Sequence, residues 1–266
     1  MVDRQSEGGW LRTSVGGATS TSITVRGRNL ADDVMGKLSF SEAAFLLASG
    51  RVPSDEEALL FDAVLTSLAD HGLTPTALAA RFTYTGAPES LQGAIAAGLL
   101  GAGSVFLGPV EDTARFLHDI ITHLPDGGVD DASLVAAAGG AVKQQLDAGK
   151  RVPGLGHPIH TESDPRTPRM YQLAAENDLL GPHLRLLEQV AVAFGSATGK
   201  TLPVNGAGVA GAALLDLGFP PALTRGFALL ARTAGLIGHL AEEAESPIGT
   251  RLWKEIDARA GRADTD

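Results

Sequence analysis

Helical periodicity is the feature of this sequence that most constrains its fold. Behind the capping box Ser54-Asp55-Glu56-Glu57, the apolar residues of segment 61–68 recur at i, i+3, i+4 and i+7, which places them on one helix face. Gly50 and Gly72 follow two such segments and can end the helices. Further helices are predicted near 75–82, 89–104, 111–123, 131–147, 165–177, 183–197, 206–217, 221–243 and 247–260, the last with Ser246 and Pro247 at its start. The pattern predicts an all-α fold.

Two segments depart from this pattern. The first twenty residues are rich in Gly, Ser and Thr and are predicted to be loose, and segment 21–27 predicts a short strand or extended arm with no second strand to pair with. Segment 91–110 carries no charge over a length that could span a membrane. Because it contains five glycines and one proline among mostly small apolar residues, we predict a central buried helix instead.

Composition excludes several classes of function. The 266 residues include no cysteine, which excludes disulfides, thiolate metal sites and cysteine catalysis. A net charge of −10 argues against binding nucleic-acid phosphates, although local positive charge could still bind a small anion. The N-terminus lacks the basic-then-apolar order of a signal peptide, so a cytoplasmic location is expected.

Three motifs suggest binding sites, but the surrounding sequence does not support them. Segment 206–211 matches G-x-G-x-x-G, but no buried strand precedes it, so close helix packing through small residues explains it better than a dinucleotide site. Segment 195–201 resembles a phosphate-binding loop, but three residues separate its glycines where four are required. His157 and His160 are close in sequence without a carboxylate at ligand spacing, so we predict no metal site.

A loop rich in proline and glycine surrounds His157. Pro153 and Pro158 stiffen its flanks, and the glycines between them allow positive φ and close approach to a ligand, with backbone N–H groups free nearby. Arg166 follows Pro165 near a helix start, where it could form a bidentate pair with a carboxylate. The residues alone leave open whether this is a functional loop or a structural turn with a surface histidine.

The PGLGH loop followed by Asp-Pro-Arg resembles the citrate synthase family. Similar elements run in the same order over roughly 23–250, including the RG–SFSE–LL–G opening, Asp70-His71-Gly72 and the segments LPVN and DLGFP. The resemblance implies that His157 is the catalytic acid or base at the carbonyl or hydroxyl oxygen of an oxo acid, and that His71 and Arg166 bind that acid. It also implies a coenzyme A site lined by Val152, Pro153, Gly154, Leu155 and Gly156.

The same resemblance implies an architecture and a reaction. A large helical domain would comprise 1–111 and 206–266, a smaller inserted helical domain 112–205, and the active site would lie between them in a homodimer. The short chain resembles citryl-CoA lyase more than full-length citrate synthase, with the lyase module of ATP-citrate lyase as a second relative. The implied reaction cleaves or forms the C–C bond between acetyl-CoA and oxaloacetate. Its substrate is a coenzyme A thioester, and neither a metal nor a nucleotide redox cofactor is expected.

Three positions depart from the family pattern. Leu107 stands where the synthases have a histidine that polarises the thioester, a loss shared with the lyase module of ATP-citrate lyase. Ala207 stands where the family has the aspartate that moves the methyl proton, and Ser246 replaces an arginine of a carboxylate clamp. Losing the base alone typically costs about 10²–10⁴-fold in rate. These departures keep open a catalytically silent acyl-CoA-binding or regulatory homologue, and they leave the acid and the physiological direction undetermined.

Overall fold

The computed structural model describes residues 13–124 and 129–260, and most of them are helical. Three short strands come first: β1 (Gly16–Ala18), β2 (Ile23–Val25) and β3 (Arg28–Asn29), followed by a short π-helix at Leu30–Val34. The α-helices are α1 (Phe40–Ser49), α2 (Asp55–Ala69), α3 (Pro75–Gly86), α4 (Leu91–Leu100), α5 (Gly108–Thr122), α6 (Asp131–Asp147), α7 (Arg166–Glu176), α8 (Pro182–Thr198), α9 (Gly206–Asp216), α10 (Pro221–Glu245) and α11 (Gly249–Arg259). The all-α prediction is confirmed.

The first helices begin and end where their capping residues predict. The Glu57 amide donates to Ser54 Oγ at 3.2 Å and the Ser54 amide donates to the Glu57 carboxylate at 2.9 Å, which confirms the capping box of α2. Gly50 ends α1 with φ +83°, a left-handed conformation that glycine adopts without strain. The Ser54 hydroxyl and the Gly50 amide thus pair with backbone groups that a helix end would otherwise leave unpaired.

The N-terminal region contains a sheet that the sequence did not predict. β2 pairs antiparallel with β1 and with β3, so the expectation of no second strand is wrong. The strands have two or three residues each and are mostly exposed, so they show no alternation of buried and exposed side chains. Of the segment predicted to be loose, residues 1–12 lie outside the described part of the chain, and 16–18 form β1.

The cap predicted for the last helix is also wrong. Ser246 follows the end of α10, and α11 begins only at Gly249. The carboxylate of Glu243 accepts the N–H groups of Ile248 and Gly249 at 3.1 and 2.8 Å. A glutamate from the preceding helix therefore does the capping that Ser246 was expected to do.

Segment 91–110 is a surface element of the single chain. Only Leu91–Leu100 of it forms α4, in which Ala94 and Gly98 are fully buried while Leu91 and Leu100 are 48% and 87% exposed. The prediction of a central buried helix is therefore wrong for one chain by itself. Within the described residues, no helix combines the length and apolar character needed to cross a membrane.

The chain divides into two compact units, Met1–Asp62 and Ala63–Asp266. In the first, the rings of Phe45 and Phe61 pack edge to face at 5.4 Å. In the second, α10 packs against α3, α4, α5 and α9, while α8 packs against α6 and α9. The division into domains 1–111 with 206–266 and 112–205 stays a prediction, and every site residue discussed below lies in the second unit.

Candidate active site

Two glycines shape the loop that presents His157. Gly154 and Gly156 have φ of +85° and +77°, which only glycine adopts readily. A Cβ on Gly154 would also lie 2.9 Å from the side chains of Leu187 and Thr113, too close for either to stay in place. The sequence reasoning that required glycines here is confirmed at both positions.

Hydrogen bonds tie this loop to the segment before α9. Leu155 forms a β-bridge with Val204, and the Gly156 amide donates to the Pro203 carbonyl at 2.8 Å. Asn205 closes the arrangement, since its backbone N–H donates to the Gly154 carbonyl at 2.9 Å and its side-chain amide donates to the Gly156 carbonyl at 2.8 Å. The Gly156 amide is thus used within the protein, which corrects the expectation of free N–H groups at that residue.

The backbone fixes the tautomer of His157. Its Nδ1 accepts the N–H groups of Ile159 and His160, both at 3.1 Å, so the proton of the neutral ring resides on Nε2. Burial, and then the neighbouring His160 ring, lowers the pKa of His157. The half-buried ring therefore presents Nε2–H as a neutral hydrogen-bond donor.

His71 lies against His157, as the resemblance implies. It follows the end of α2 in the turn Asp70-His71-Gly72, and its ring centroid is 5.3 Å from that of His157. Burial, and then Arg166, lowers the pKa of His71. His160 completes a group of three rings, with its Nε2 3.3 Å from Nε2 of His71. The sequence analysis did not assign His160 a role.

Arg166 is held by a buried carboxylate. Its Nε and Nη2 donate to the two oxygens of Asp164 at 2.9 and 2.7 Å, a bidentate pair. The Gly206 amide donates to the same carboxylate at 2.8 Å. Burial would raise the pKa of Asp164, but these donors outweigh it and hold the pKa well below its usual range. Arg166 is thus oriented by the protein, with Nη1 near the Ser67 carbonyl at 3.4 Å.

Close contacts account for the glycine motif at the start of α9. A Cβ on Gly206 would lie 2.2 Å from the Arg166 guanidinium, and one on Gly208 would lie 2.7 Å from Gly154 Cα. A Cβ on Gly211 would lie 2.5 Å from the Val110 carbonyl oxygen. The prediction that G-x-G-x-x-G serves close packing is confirmed.

Sequence reasoning missed Arg232, a buried arginine of α10. Its guanidinium donates to the Leu68 carbonyl and the Thr76 hydroxyl at 3.2–3.4 Å. Within residues 13–124 and 129–260, no carboxylate forms a salt bridge with it. Arg232 lies close enough to His71 to lower the pKa of that ring. Its position in a helix among apolar neighbours at i±4, Ala228 and Leu236, was the signal that could have revealed it.

The three histidines resemble a metal site in spacing but not in hydrogen bonding. A ring nitrogen from each lies within 4.8 Å of the others. A histidine that binds a metal normally donates its second N–H to an acceptor. His157 instead accepts two N–H groups at Nδ1, which leaves the proton, and no lone pair, on Nε2. This conformation does not fit a three-histidine metal centre.

The chain is similar to known proteins in sequence and in fold. Residues 33–254 match the family model for the C-terminal domain of citrate synthase. The chain belongs to the citrate synthase family. A curated citrate synthase from Haloferax volcanii is 27% identical over 224 residues, which cover 83% of this chain. The chain spans only 55% of the length of that relative.

Solved structures of the family share this fold. The citryl-CoA lyase from Hydrogenobacter thermophilus has 31% sequence identity and a TM-score of 0.83, with 96% of each chain covered. The ATP citrate lyase from Methanothrix soehngenii, solved with citrate and coenzyme A, has a TM-score of 0.74 at 21% identity. The matched region covers 96% of the present chain and 42% of the ATP citrate lyase chain. The present chain thus has the extent and the fold of a citryl-CoA lyase-like member of the citrate synthase family.

Three residues are expected to depart from the family pattern, and they lie at two helix starts and one helix end. Leu107 precedes α5 with φ +65°, Ala207 is half-buried in the first turn of α9, and Ser246 follows α10. A leucine with positive φ is strained, and such residues concentrate at functional sites. Asp164 binds the amide next to Ala207, but its lowered pKa makes it a weak base.

Another carboxylate could replace the missing base, but Glu111, Glu242 and Glu243 are held in ion pairs. Glu111 pairs with Arg115 and Arg225 at 2.6 and 3.0 Å. Glu242 and Glu243 both pair with Arg81. Their structural roles favour the interpretation that they stabilise helices and helix contacts rather than move substrate protons.

Proposed function

We propose that this chain cleaves citryl-CoA, or a related thioester, into acetyl-CoA or a related acyl-CoA and a 2-oxo acid such as oxaloacetate. The observation that carries the proposal is the cluster of His71, His157 and Arg166 in a chain that resembles a citryl-CoA lyase over nearly its full length. Contacts within the protein orient each of these side chains. Residues preorganised in this way are typical of an active site.

His157 acts at the oxygen that changes between hydroxyl and carbonyl. In cleavage the hydroxyl of the citryl group gives its proton to solvent and becomes the carbonyl of the oxo acid, the C–C bond breaks, and the electron pair of that bond forms the enolate of the thioester. That enolate then takes up a proton to give the acyl-CoA. Nε2–H of His157 donates a hydrogen bond to this oxygen and stabilises the negative charge that develops on it as the proton leaves.

Arg166 and Arg232 bind the carboxylates of the oxo-acid portion. Arg166 keeps Nη1 available after Nε and Nη2 have paired with Asp164. Arg232 has only neutral oxygen acceptors among the described residues, so a substrate carboxylate would give this buried cation the charged partner that it lacks. Together they favour a substrate with at least two carboxylates.

The coenzyme A portion would lie along the loop 152–156. Pro153, Leu155 and Gly156 are partly exposed there and can contact a ligand, whereas Val152 and Gly154 are buried and would shape the loop from behind. Nothing in this chemistry requires a metal or a nucleotide redox cofactor, because the reaction moves protons and one electron pair without net oxidation. A soluble cytoplasmic location, without nucleic-acid or membrane partners, remains part of the proposal.

A homodimer is proposed from the apolar surface of α4 and the loop after it. Leu91, Leu100 and Val105 are 48%, 87% and 76% exposed. Exposed apolar side chains in such number favour burial against another chain. Sedimentation velocity of wild type and of Leu100→Glu tests the proposal, since the charged variant would sediment as a monomer.

The departures at Leu107 and Ala207 favour a second candidate, a silent acyl-CoA-binding homologue. The two candidates differ in turnover. Citryl-CoA is offered, and separately acetyl-CoA with oxaloacetate, while free coenzyme A and oxaloacetate are followed. The lyase proposal expects turnover of citryl-CoA that falls about 10²–10⁴-fold in His157→Ala and stays unchanged in His123→Ala, an exposed control. Coenzyme A binding that survives His157→Ala, without turnover of any thioester, would establish the second candidate instead.

A further inference from the structure

His160 contacts two residues of the proposed site and has no part in the reaction derived above. Its Nε2 lies 3.3 Å from Nε2 of His71. Its ring stacks on that of His157, with centroids 4.5 Å apart and 27° between the planes. His160 is half-buried in the same cluster, so its protonation bears directly on the other two rings.

The contact between His71 and His160 limits how many protons the pair can hold. A neutral imidazole has one N–H and one lone pair, so the two Nε2 atoms can bond only if one ring donates and the other accepts. A singly protonated pair satisfies the same contact, because the charged ring donates to the neutral one. Two charged rings cannot, since both Nε2 atoms would then bear hydrogens that face each other. The pair can therefore gain one proton and no more.

The charges around the pair decide whether it gains that proton. Arg166 from the start of α7 and Arg232 from α10 bring positive charge, and Asp164 opposes them. Burial, and then Arg166, lowers the pKa of His71. His157, the third ring, is itself held neutral by burial and by its neighbours. Without substrate, the surroundings thus favour a neutral His71.

A bound dicarboxylate reverses this balance. Two negative charges placed within a few ångströms of the rings favour their charged form, as any opposite charge does. Because the Nε2 lone pair of the accepting ring is engaged in the contact, the added proton goes to Nδ1 of the donating ring, while His157 Nδ1 is already used by two backbone N–H groups. The proton would be taken from solvent.

We infer that His71 and His160 act as one proton-sharing unit that takes up a proton when a dicarboxylate substrate binds at this site. The inference rests on the proposed function, because it needs a carboxylate ligand beside these rings. It adds a role that the reaction does not require: the pair adjusts the charge of the site to that of its ligand. His160 is here a positioning and charge-balancing residue, with His71 as the ring that also contacts the ligand.

Calorimetry measures this uptake directly. Oxaloacetate is titrated into the full chain at pH 7.5 in phosphate and in Tris, whose different ionisation heats reveal the protons exchanged on binding. Wild type is expected to take up between about half a proton and one proton per oxaloacetate, within the one-proton limit of the pair. In His160→Gln, which keeps a polar side chain without a basic nitrogen, uptake is expected to fall below about one fifth of that value. His123→Gln, which removes an exposed histidine of α5's C-terminal end, is expected to match wild type.

A second measurement on wild type needs no variant. Because binding that takes up a proton weakens as pH rises, log Kd for oxaloacetate should increase between pH 7 and 8.5 with a slope equal to the measured uptake. Binding without uptake in wild type would overturn the inference and leave the proposed function standing. Full uptake retained in His160→Gln would also overturn it, since the proton would then reside elsewhere. Absence of any oxaloacetate binding would overturn the proposed function, and the inference with it.

Discussion

Two buried arginines, Arg81 of α3 and Arg232 of α10, have opposite surroundings. Arg81 is 2% exposed and pairs with Glu242 and Glu243, and it also donates to His239 Nδ1. Arg232 is 6% exposed and donates only to a carbonyl and a hydroxyl among the described residues. The difference teaches how to distinguish structural cations from ligand-binding ones: the first has its anions within the fold, and the second lacks them.

Arg81 also supports the turn that presents His71. Because His239 Nδ1 accepts from Arg81, its Nε2–H is free to donate to Asp70 at 2.8 Å. Asp70 in turn accepts the Gly72 amide at 2.8 Å. A chain of hydrogen bonds from Arg81 through His239 thus reaches Asp70 and Gly72, the residues on either side of His71.

The largest expected effect is loss of stability in Arg81→Met. The variant leaves Glu243 buried without its cation, and breaking one partner of a buried pair typically costs about 3–5 kcal/mol. Urea unfolding at pH 7 measures the change. Arg51→Met is the matched control, since Arg51 is half-exposed in its pair with Glu57 and should cost less than about 1 kcal/mol. Equal losses in both variants would contradict the distinction drawn for Arg81.

Arg232→Met should separate binding from stability. Removing a buried cation without a charged partner relieves its desolvation, so the free energy of unfolding should stay within about 1 kcal/mol of wild type. Affinity for oxaloacetate should fall about 10–100-fold, because charged hydrogen bonds to a carboxylate contribute about 1.5–3 kcal/mol. Calorimetry and urea unfolding on one preparation measure both quantities. Lost stability with intact binding would place Arg232 in the same class as Arg81.

Acid should weaken the Arg81 network through Glu243. Burial would raise the pKa of Glu243, but the Gly249 and Ile248 amides and Arg81 outweigh it and lower the pKa below the unfolded value of about 4.3. The unfolded state therefore binds more protons in this range, and stability present at neutral pH is lost as pH falls below about 5. Unfolding measured from pH 7 to 3 should show the deficit of Glu243→Gln shrinking toward pH 3. A constant deficit would mean that the charge of Glu243 is not its source.

Gly206→Ala should disturb Arg166 without unfolding α9. The added Cβ would lie 2.2 Å from the guanidinium, so Arg166 must move from its bidentate pair with Asp164. We expect KM for citryl-CoA to rise several-fold and stability to fall by about 1–3 kcal/mol, since the buried Asp164 carboxylate loses hydrogen bonds from its cation. Gly139→Ala, with open space around its Cβ, should leave KM unchanged. An unchanged KM in Gly206→Ala would show that Arg166 does not bind substrate.

The smallest effect is expected at Leu107. Its φ of +65° strains a residue with a Cβ, so Leu107→Gly should be neutral or stabilise the chain by up to about 1 kcal/mol despite the lost side chain. Leu59→Gly, in ordinary helical conformation within α2 and 43% exposed, should instead lose about 1 kcal/mol. Thermal unfolding ranks the two. A larger loss at Leu107 would mean that its side chain packs more strongly than its conformation costs.

The sequence predicted the loop around His157 better than it predicted the N-terminal strands and the contacts between helices. Turn formers and titratable groups are local signals, so His157, the need for Gly154 and Gly156, and the ends of most helices could be read directly. The resemblance brought in His71, which lies far from His157 along the chain, and a substrate-binding role for Arg166. Their roles in binding remain predictions.

The predictions that failed depended on contacts that the sequence pattern does not show. The strands β1–β3 are too short and exposed to show a pattern, and their stability comes from pairing with each other. Ser246 was a sound cap locally, but Glu243 reaches the same amides from the previous helix. Arg232 looked like an ordinary helix charge until the fold placed it beside His71. His160 was considered only as a metal ligand beside His157, and the His71 ring that it contacts lies 89 residues away in the sequence.

The bridge between Leu155 and Val204 has a consequence for motion. The His157 loop and the chain entering α9 share the two backbone hydrogen bonds of that bridge and one more from the Asn205 side chain, so they move as one piece. A fluctuation that swings the imidazole would carry the start of α9 with it, and the two would protect their amides from solvent deuterium together. A substitution at position 207 that changes the chemistry of this enzyme would therefore also affect His157.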